Sequence, residues 1–266
     1  MDTDCWILYD RADLEHNRFF AERLRSSGIS LGLNCSIETT DSIDPEDAPD
    51  IVVARTRDHR LTGLLEDMGS TVFNSSSVSR VCNDKAMTLD LARRLGIGVL
   101  PYSLTGTDGI SGPPWVVKSR IGHGGTEVYE ARDEREAREL MDRLDGRMPM
   151  VQQMAPVRGR DMRIYVLGGR IVASVLRSSD TDFRANHGLG GRAELREPPE
   201  EAVDAVRRIL PELTPDFIGI DFLFGEDGVY LNEIEDVVGT RMLYELTDLD
   251  PASMYMGYIA HSKISL

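Results

Sequence analysis

The chain has 266 residues, 41% of them hydrophobic, which suffices for a substantial core and for two or three compact lobes. Its net charge of −15 argues against nucleic acid as a general partner, because phosphate binding rests on a basic surface. No apolar run approaches the ~18 residues of a membrane span, and the segment MDTDCWILYD lacks the positive region of a signal peptide. We therefore expect a cytoplasmic protein without a membrane partner, in which an anionic ligand needs a local basic pocket.

Short strands alternate with amphipathic helices in the first part of the chain, residues 1–78. The strands are predicted in CWILY, LGLNCSI, DIVVART and TVFN, and the helices over residues 14–27 and about residues 61–68. Gly28 and Gly69 follow these helices as C-terminal stops. The alternation predicts a Rossmann-like α/β domain with a small open sheet, followed by a polar connector at SSSVSR.

A second domain is predicted over residues 79–152, beginning with the helix in NDKAMTLDLARRLG. The segment PWVVKSRIGHGGTEVYEA then predicts a strand, a glycine-rich loop and a second strand, with a charged helix after them. Because the loop joins two strands and opens no helix, it is neither a Walker A motif nor a Rossmann fingerprint. We expect a flap over phosphates, in which Gly122, Gly124 and Gly125 admit an anion to the backbone and Lys118 supplies a charge. A flexible surface hairpin is the alternative.

A third domain is predicted over residues 153–266. After the strand MVQQMAP, the segment RDMRIYVLGGRIVASVLR predicts a hairpin that turns at residues 168–169. Strand alternation places Asp161, Arg163 and Tyr165 on one face of this hairpin. Taken without further context, the charged pair favours a salt bridge or a solvated edge over a binding site.

The segment DFRANHGLGGRAE is rich in Gly, Asn and Arg, which predicts a loop. Its side chains Arg184, Asn186 and His187 could bind an anion. For His187 alone, an ordinary exposed histidine is the alternative.

The last motif is the hairpin FIGIDFLFGEDGVYLNEIE. If residues 226–228 form a three-residue loop with Gly228 in the left-handed conformation, Gly225 pairs with Val229. Counting back from this pair places Asp221 directly opposite Glu233.

Strand alternation also predicts that Val229 and Leu231 share a face with Glu233 and Glu235, so that an apolar face continues into acids. Glu233 and Glu235 would lie about 6.5–7 Å apart, a span that two hard cations can bridge. Without a cation, each close pair of acids repels by about 4 kcal/mol at 4 Å and an effective dielectric of ~20. With Asp221, these acids are candidate metal ligands, and the alternative is a different register in which they face water.

The order of these motifs resembles that of the ATP-grasp superfamily, and within it the RimK-type amino-acid ligases. The shared pattern is a DK helix, a VVK strand, a glycine flap, a VQ strand, a D-x-R hairpin, a DFR-x-N loop and an acidic hairpin, in this order from about residue 83 to residue 259. The resemblance implies an ATP-grasp fold of the α/β (α+β) class.

The resemblance also implies a site for ATP and two Mg²⁺ ions, with Mn²⁺ as an alternative metal. The family's ATP-contacting lysines correspond to Lys85 and Lys118, and Gly124 and Gly125 belong to its flap. The remaining correspondences are adenine contacts at Gln152, Gln153, Met154 and Ala155, a ribose-binding acid at Asp161, phosphate and substrate contacts at Arg163, Arg184 and Asn186, and metal ligands at Asp221, Glu233 and Glu235.

Two departures from the family pattern affect the site. Glu235 stands where the family typically has Asn, and the loop after it reads DVVGTRML in place of small residues with Pro and Gly. Gln153 stands where many relatives have Glu. The first ~75 residues match the family only in general pattern.

The resemblance implies an ADP-forming carboxylate–amine ligase. A small-molecule or peptide carboxylate would attack the γ-phosphate of ATP, and an amino-acid amine would displace phosphate from the acyl phosphate to leave an amide. Relatives often form dimers or tetramers, so a homo-oligomer is an open expectation. The alternatives are an ATP-binding regulatory module without turnover and phosphotransfer to an alcohol, for which a kinase-like Asp loop is missing.

Overall fold

The computed structural model describes residues 3–185 and 190–264. Within these residues the strands form three sheets, one parallel with four strands and two antiparallel with five and four strands. The predicted α/β fold class is therefore confirmed, and each sheet takes its strands from one successive part of the chain. Among the described residues, no helix has the length and hydropathy required to traverse a lipid bilayer.

The N-terminal part of the chain alternates strands and helices as predicted. Its elements are β1 (Thr3–Tyr9), α1 (Arg11–Ser30), β2 (Leu33–Thr39), a 3-10 helix (Pro45–Asp47), β3 (Ile51–Arg55), α2 (His59–Asp67) and β4 (Thr71–Phe73). The strands are parallel in the order β2-β1-β3-β4. Their carboxyl ends therefore meet at one edge of the sheet, where open α/β sheets bind ligands.

Helix α1 continues through Gly28, so the predicted stop there is wrong. Gly28 serves close packing instead, because a Cβ at this position would lie 2.3 Å from Sγ of Cys35 on β2. The glycine that follows the helix is Gly32, with a φ of 85°. Gly69 does follow α2, as predicted, with a φ of 106°.

All but the first residue of the segment SSSVSR is helical, so the predicted polar connector is also wrong. Residues 76–80 lie in α3 (Ser76–Cys82), and the side chain of Ser75 at the N-cap accepts a hydrogen bond from the backbone N–H of Val78. Val78 is fully buried in the core. Serine is favoured at helix N-caps, so the serine run marks a helix start.

The middle of the chain forms a small antiparallel sheet. Its elements are α4 (Lys85–Arg94), β5 (Tyr102–Ser103), β6 (Trp115–Ser119), β7 (Val128–Ala131), α5 (Glu134–Arg143) and β8 (Pro149–Gln153). The strand order is β5-β8-β6-β7, so the glycine loop joins two neighbouring strands as predicted. Asp84 caps α4 by accepting hydrogen bonds from the N–H groups of Ala86 and Met87, which fixes Lys85 in the first turn.

The last part of the chain forms the five-stranded antiparallel sheet. Its elements are β9 (Arg160–Leu167), β10 (Arg170–Ser178), β11 (Arg192–Leu195), α6 (Glu200–Leu213), β12 (Phe217–Phe224), β13 (Val229–Glu235), α7 (Arg241–Leu246) and α8 (Pro251–Ile264). The order is β11-β10-β9-β12-β13. The turn at Gly168 and Gly169 is confirmed, with φ values of 55° and 75°. The predicted loop DFRANHGLGGRAE is partly wrong, because its end pairs with β10 as β11.

Asp221 lies opposite Glu233 on β12 and β13, as predicted. The loop and the strand pairing from which this position was counted are wrong. Val229 pairs with Phe224 instead of Gly225, so the loop covers residues 225–228. Asn232 is then an extra residue on β13, and this bulge restores the pair of acids.

The bulge also reverses the predicted faces of β13. Leu231 and Ile234 both lie in the hydrophobic core, whereas Glu233 and Glu235 point to the opposite face and line a cavity. In an unbroken strand Leu231 and Glu233 would share a face. The apolar side chains of β13 therefore all face the core, and the two glutamates lie on the opposite, polar face.

Candidate functional site

A cavity of about 330 Å³ lies between the two antiparallel sheets and is covered by the glycine loop. All predicted site residues within the described ranges line it. They are Lys85, Lys118, Gly124, Gly125, Gln152, Gln153, Met154, Ala155, Asp161, Arg163, Arg184, Asp221, Glu233 and Glu235. Asn186 and His187 lie outside the described residues.

A chain of buried ion pairs forms the wall of the cavity made by β9, β10, β12 and β13. Arg163 donates from Nε and Nη2 to the two oxygens of Asp221, both at 2.7 Å, and lies 2.9 Å from Glu235 through Nη1. Arg177 donates to both oxygens of Asp161, at 2.6 and 2.9 Å, and to Oδ2 of Asp221 at 2.7 Å. The predicted alternative of a solvated edge is wrong for Asp161 and Arg163, because both are buried in this network.

The network sets the ionisation of its acids. Burial favours the neutral form of Asp221, but the guanidinium groups of Arg163 and Arg177 outweigh it and lower the pKa of Asp221 to about 2. Burial raises the pKa of Glu235, although Arg163 opposes this effect. Asp221 is therefore an anion under ordinary conditions.

Asp221, Glu233 and Glu235 each bring a carboxylate oxygen into one cluster, with these atoms within 4.8 Å of one another. An all-oxygen, carboxylate donor set suits Mg²⁺ or Mn²⁺. Glu233 and Glu235 retain partial exposure toward the cavity, whereas both oxygens of Asp221 already accept from arginines. The donor set therefore fits a divalent cation that draws mainly on the glutamates.

The opposite wall, made by β6 and β8, carries Lys118, and the first turn of α4, which packs against β13, brings Lys85 beside it. Lys118 is only 3% exposed and donates to Oδ1 of Asn232 at 3.1 Å. Burial lowers its pKa to about 8, the neighbouring Lys85 adds to this, and Glu233 opposes it. Lys85 lies 3.4 Å from Glu233 and also donates to the carbonyl of Gly122 in the flap. The wall is therefore electropositive and incompletely neutralised.

The end of β8 presents unsatisfied polar atoms to the cavity. Nε2 of Gln152 and Oε1 of Gln153 are buried without a hydrogen-bond partner among the described residues. Such atoms are costly unless a ligand or water pairs with them. Met154, at 8% exposure, adds an apolar surface beside them. A planar heterocycle with donor and acceptor edges fits these groups.

The glycine flap is held over the cavity from two sides. Gly124 and Gly125 have φ values of 68° and 74°, which favour glycine. Nη1 of Arg184 donates to the carbonyl of Gly125 at 2.8 Å, while its Nε and Nη2 donate to Asp182. Lys85 holds the other end through Gly122. The loop is thus a lid over the site, and the alternative of a free surface hairpin does not describe it.

The sequence reasoning missed Arg177, although it bridges two predicted site acids. Counting from the turn at residues 168–169 pairs Asp161 with Leu176, and only an irregularity near Val172 shifts the register so that Arg177 faces Asp161. It also missed Asn17, Arg57 and His123, which line the same cavity from α1, from the segment after β3 and from the flap. No local pattern in the sequence marks these residues as cavity residues.

A family model described as the RimK-like ATP-grasp domain matches residues 107–259. A probable alpha-L-glutamate ligase of Maridesulfovibrio salexigens is 30% identical over 207 residues, which cover 73% of this chain and 68% of that protein. The glutamate–LysW ligase ArgX of Sulfurisphaera tokodaii is 28% identical over 214 residues, covering 74% of this chain and 76% of that protein.

Among solved structures, the D-alanine–D-alanine ligase of Bacillus anthracis superposes with a TM-score of 0.75 and 14% identity. The superposition covers 100% of this chain and 98% of that one. The likeness therefore extends through the N-terminal sheet, and the predicted ATP-grasp fold is confirmed.

Proposed function

Because the chain belongs to the RimK-like ATP-grasp family, we propose that its cavity activates a carboxylate as an acyl phosphate and joins it to an amino-acid amine. The chain is an ATP-dependent carboxylate–amine ligase, as the sequence predicts. The observation that carries the assignment of the site is the convergence of its lysines, arginines and acids on one lidded cavity.

The nucleotide occupies the wall formed by β6, β8 and the flap. Gln152 and Gln153 bind the adenine edge with their unpartnered amide atoms, and Met154 and Ala155 pack beside the base. Lys85 and Lys118 neutralise phosphate charge, while Gly124 and Gly125 bring flap backbone close to the phosphates.

Asp161 faces the ribose and also holds Arg177, which in turn fixes Asp221. Its carboxylate oxygens already accept from Arg177, so a ribose hydroxyl would use their remaining lone pairs. The same residue thereby connects nucleotide binding to the acidic cluster.

Asp221, Glu233 and Glu235 would hold Mg²⁺, with two ions as the proposed number and Mn²⁺ as a substitute. Bound there, the metal supplies Lewis-acid neutralisation of phosphate oxygens. Arg163 lies between Asp221 and Glu235, so it adds a fixed positive charge beside the transferred phosphoryl group. The protein thus contributes positioned charges, and the proposed chemistry needs no side-chain nucleophile.

Arg184 stabilises the acyl phosphate or the oxyanion formed when the amine attacks, with Asn186 proposed beside it. Because Arg184 also holds the flap through Gly125, the same side chain couples lid closure to charge stabilisation. A closed lid keeps water from the hydrolysable intermediate.

We further propose domains over residues 1–78, 79–152 and 153–266, each of which contains one of the three sheets, with only Gln153 at the end of β8 beyond the second boundary. The second and third domains form the nucleotide and metal walls described above. The first domain packs on the third through a shared core, in which Ile7 and Phe20 join Phe217 and Tyr255.

The test measures ADP release and amide product by mass spectrometry with the wild-type protein, MgATP, the standard amino acids and a panel of carboxylates. ADP release that requires both an amine and a carboxylate, with an amide of matching mass, supports the ligase. In Glu233→Gln we expect turnover to fall about 100-fold or more, since a neutral amide replaces a carboxylate that would hold the metal. Glu139→Gln is the matched control, because Glu139 is 61% exposed on α5.

ADP release that needs neither substrate, or nucleotide binding without any amide product, would favour the alternative of a regulatory ATP-binding module. Wild-type turnover in Glu233→Gln would remove the acidic cluster from the reaction.

A further inference from the structure

The N-terminal domain contributes polar side chains to the same cavity. Arg57 follows β3, and Asn17 lies in α1, which follows β1. Both positions are at the carboxyl edge of the parallel sheet, the edge at which open α/β sheets bind ligands. His123 of the flap faces the cavity beside them.

Asp13 orients the Arg57 side chain through one nitrogen, and the other N–H groups of the guanidinium can still donate to a ligand. Its Nη1 lies 2.5 Å from Oδ2 of Asp13, and the Arg57 side chain is 24% exposed. Asn17 donates to the backbone carbonyl of Asp13 at 2.8 Å, and α1 leaves helical geometry at Asn17, with a φ of −114°. Among the described residues, no other hydrogen bond or ion pair of the Arg57 side chain is found. A guanidinium held at one corner can still bind a carboxylate.

Arg57 lines the cavity but is not a member of the buried network of ion pairs on the wall of β9, β10, β12 and β13. Arg57 instead shares a second cavity of about 30 Å³ with Lys85, Glu233 and the flap, which places it beside the reacting end of the site. Burial, with Arg57 as the next cause, lowers the pKa of His123 and so favours its neutral form.

We propose that Arg57 binds a carboxylate of the amino-acid substrate that does not take part in the new bond. This inference rests on the proposed ligase function and assigns the N-terminal domain a part in choosing the substrate. Asp13 acts as a positioning residue, because it orients Arg57 through Nη1. The class selected is an amino acid with its α-carboxylate free, in preference to an amine or amide that lacks this charge.

The test first compares each amino acid that the wild-type protein uses with its α-amide, at saturating MgATP. We expect the free acid to be preferred by about 10-fold or more in kcat/KM, since hydrogen bonds to charged groups are the strong ones. In Arg57→Met, KM for the acid should rise about 10- to 100-fold, KM for ATP should stay nearly constant, and the preference over the amide should disappear. Arg57→Lys should be intermediate, because it keeps the charge and loses the fork of donors.

Arg60→Met is the matched control, since Arg60 is exposed on α2 of the same domain. Equal use of acid and α-amide by the wild-type protein would overturn the inference without any variant. An unchanged KM in folded Arg57→Met, or an equal rise in KM for ATP, would also overturn it. Absence of amide product from the wild-type protein would instead overturn the proposed function, on which the inference depends.

Discussion

The two walls of the cavity differ in how fully their charges are paired. On the wall of β9, β10, β12 and β13, one continuous network of ion pairs joins four buried side chains and the partly exposed Glu235. The buried members are Asp161, Arg177, Asp221 and Arg163. On the wall of β6 and β8, burial lowers the pKa of Lys118 to about 8, and side-chain atoms of Gln152 and Gln153 are buried with no hydrogen-bond partner in the part of the chain that the structure describes. The ion pairs of the first wall form without a ligand, whereas we propose that a bound nucleotide supplies the missing partners of the second.

The largest effect on stability is expected from a substitution in the ion-pair network on the wall of β9, β10, β12 and β13. In Arg177→Met, Asp161 and Asp221 lose their shared buried counterion, which should lower the free energy of unfolding by about 3–5 kcal/mol. Chemical denaturation of the nucleotide-free protein measures this loss. Arg192→Met is the control, because Arg192 and its partner Asp180 are each 73% exposed. Equal stability of the two variants would show that the network does not support the wall.

A smaller effect is expected from Glu235, at the end of the network. Glu235→Asn removes one contact of Arg163 but leaves its paired hydrogen bonds to Asp221. We expect amide formation to persist with a raised Mg²⁺ requirement, because the cluster has lost one negative charge. A magnesium titration of ADP release measures the shift. An unchanged requirement would mean that Glu235 does not contribute to metal binding.

The same contrast separates what the sequence could predict from what it could not. The lysines, the flap and the acids lie in short segments with their own patterns, such as WVVK and NEIE, and these patterns predict one shared site. Arg177 and the true faces of β13 depend on strand irregularities near Val172 and at Asn232, which hairpin counting does not include. Arg57 reaches the cavity through packing between domains, which no local pattern records.

The lowered pKa of Lys118, on the wall of β6 and β8, makes the stability of the protein depend on pH. Its pKa in the folded protein is about 8 against an ordinary value of 10.5, mainly because burial disfavours the charged form. Between these values the unfolded chain binds more protons than the folded one, so stability should rise with pH across this window. Nucleotide phosphates beside Lys118 would favour its charged form and draw a proton from solution.

The most direct test of whether a nucleotide completes the wall of β6 and β8 is the uptake of a proton when MgADP binds. Calorimetry just above pH 8, in two buffers with different ionisation enthalpies, measures it for the wild-type protein and for Lys118→Met, with Arg60→Met as control. We predict uptake of a proton by the wild-type protein and the control, and weaker binding without uptake in Lys118→Met. Heats of binding that are the same in both buffers for the wild-type protein, or uptake that persists in Lys118→Met, would contradict the proposal that nucleotide completes this wall.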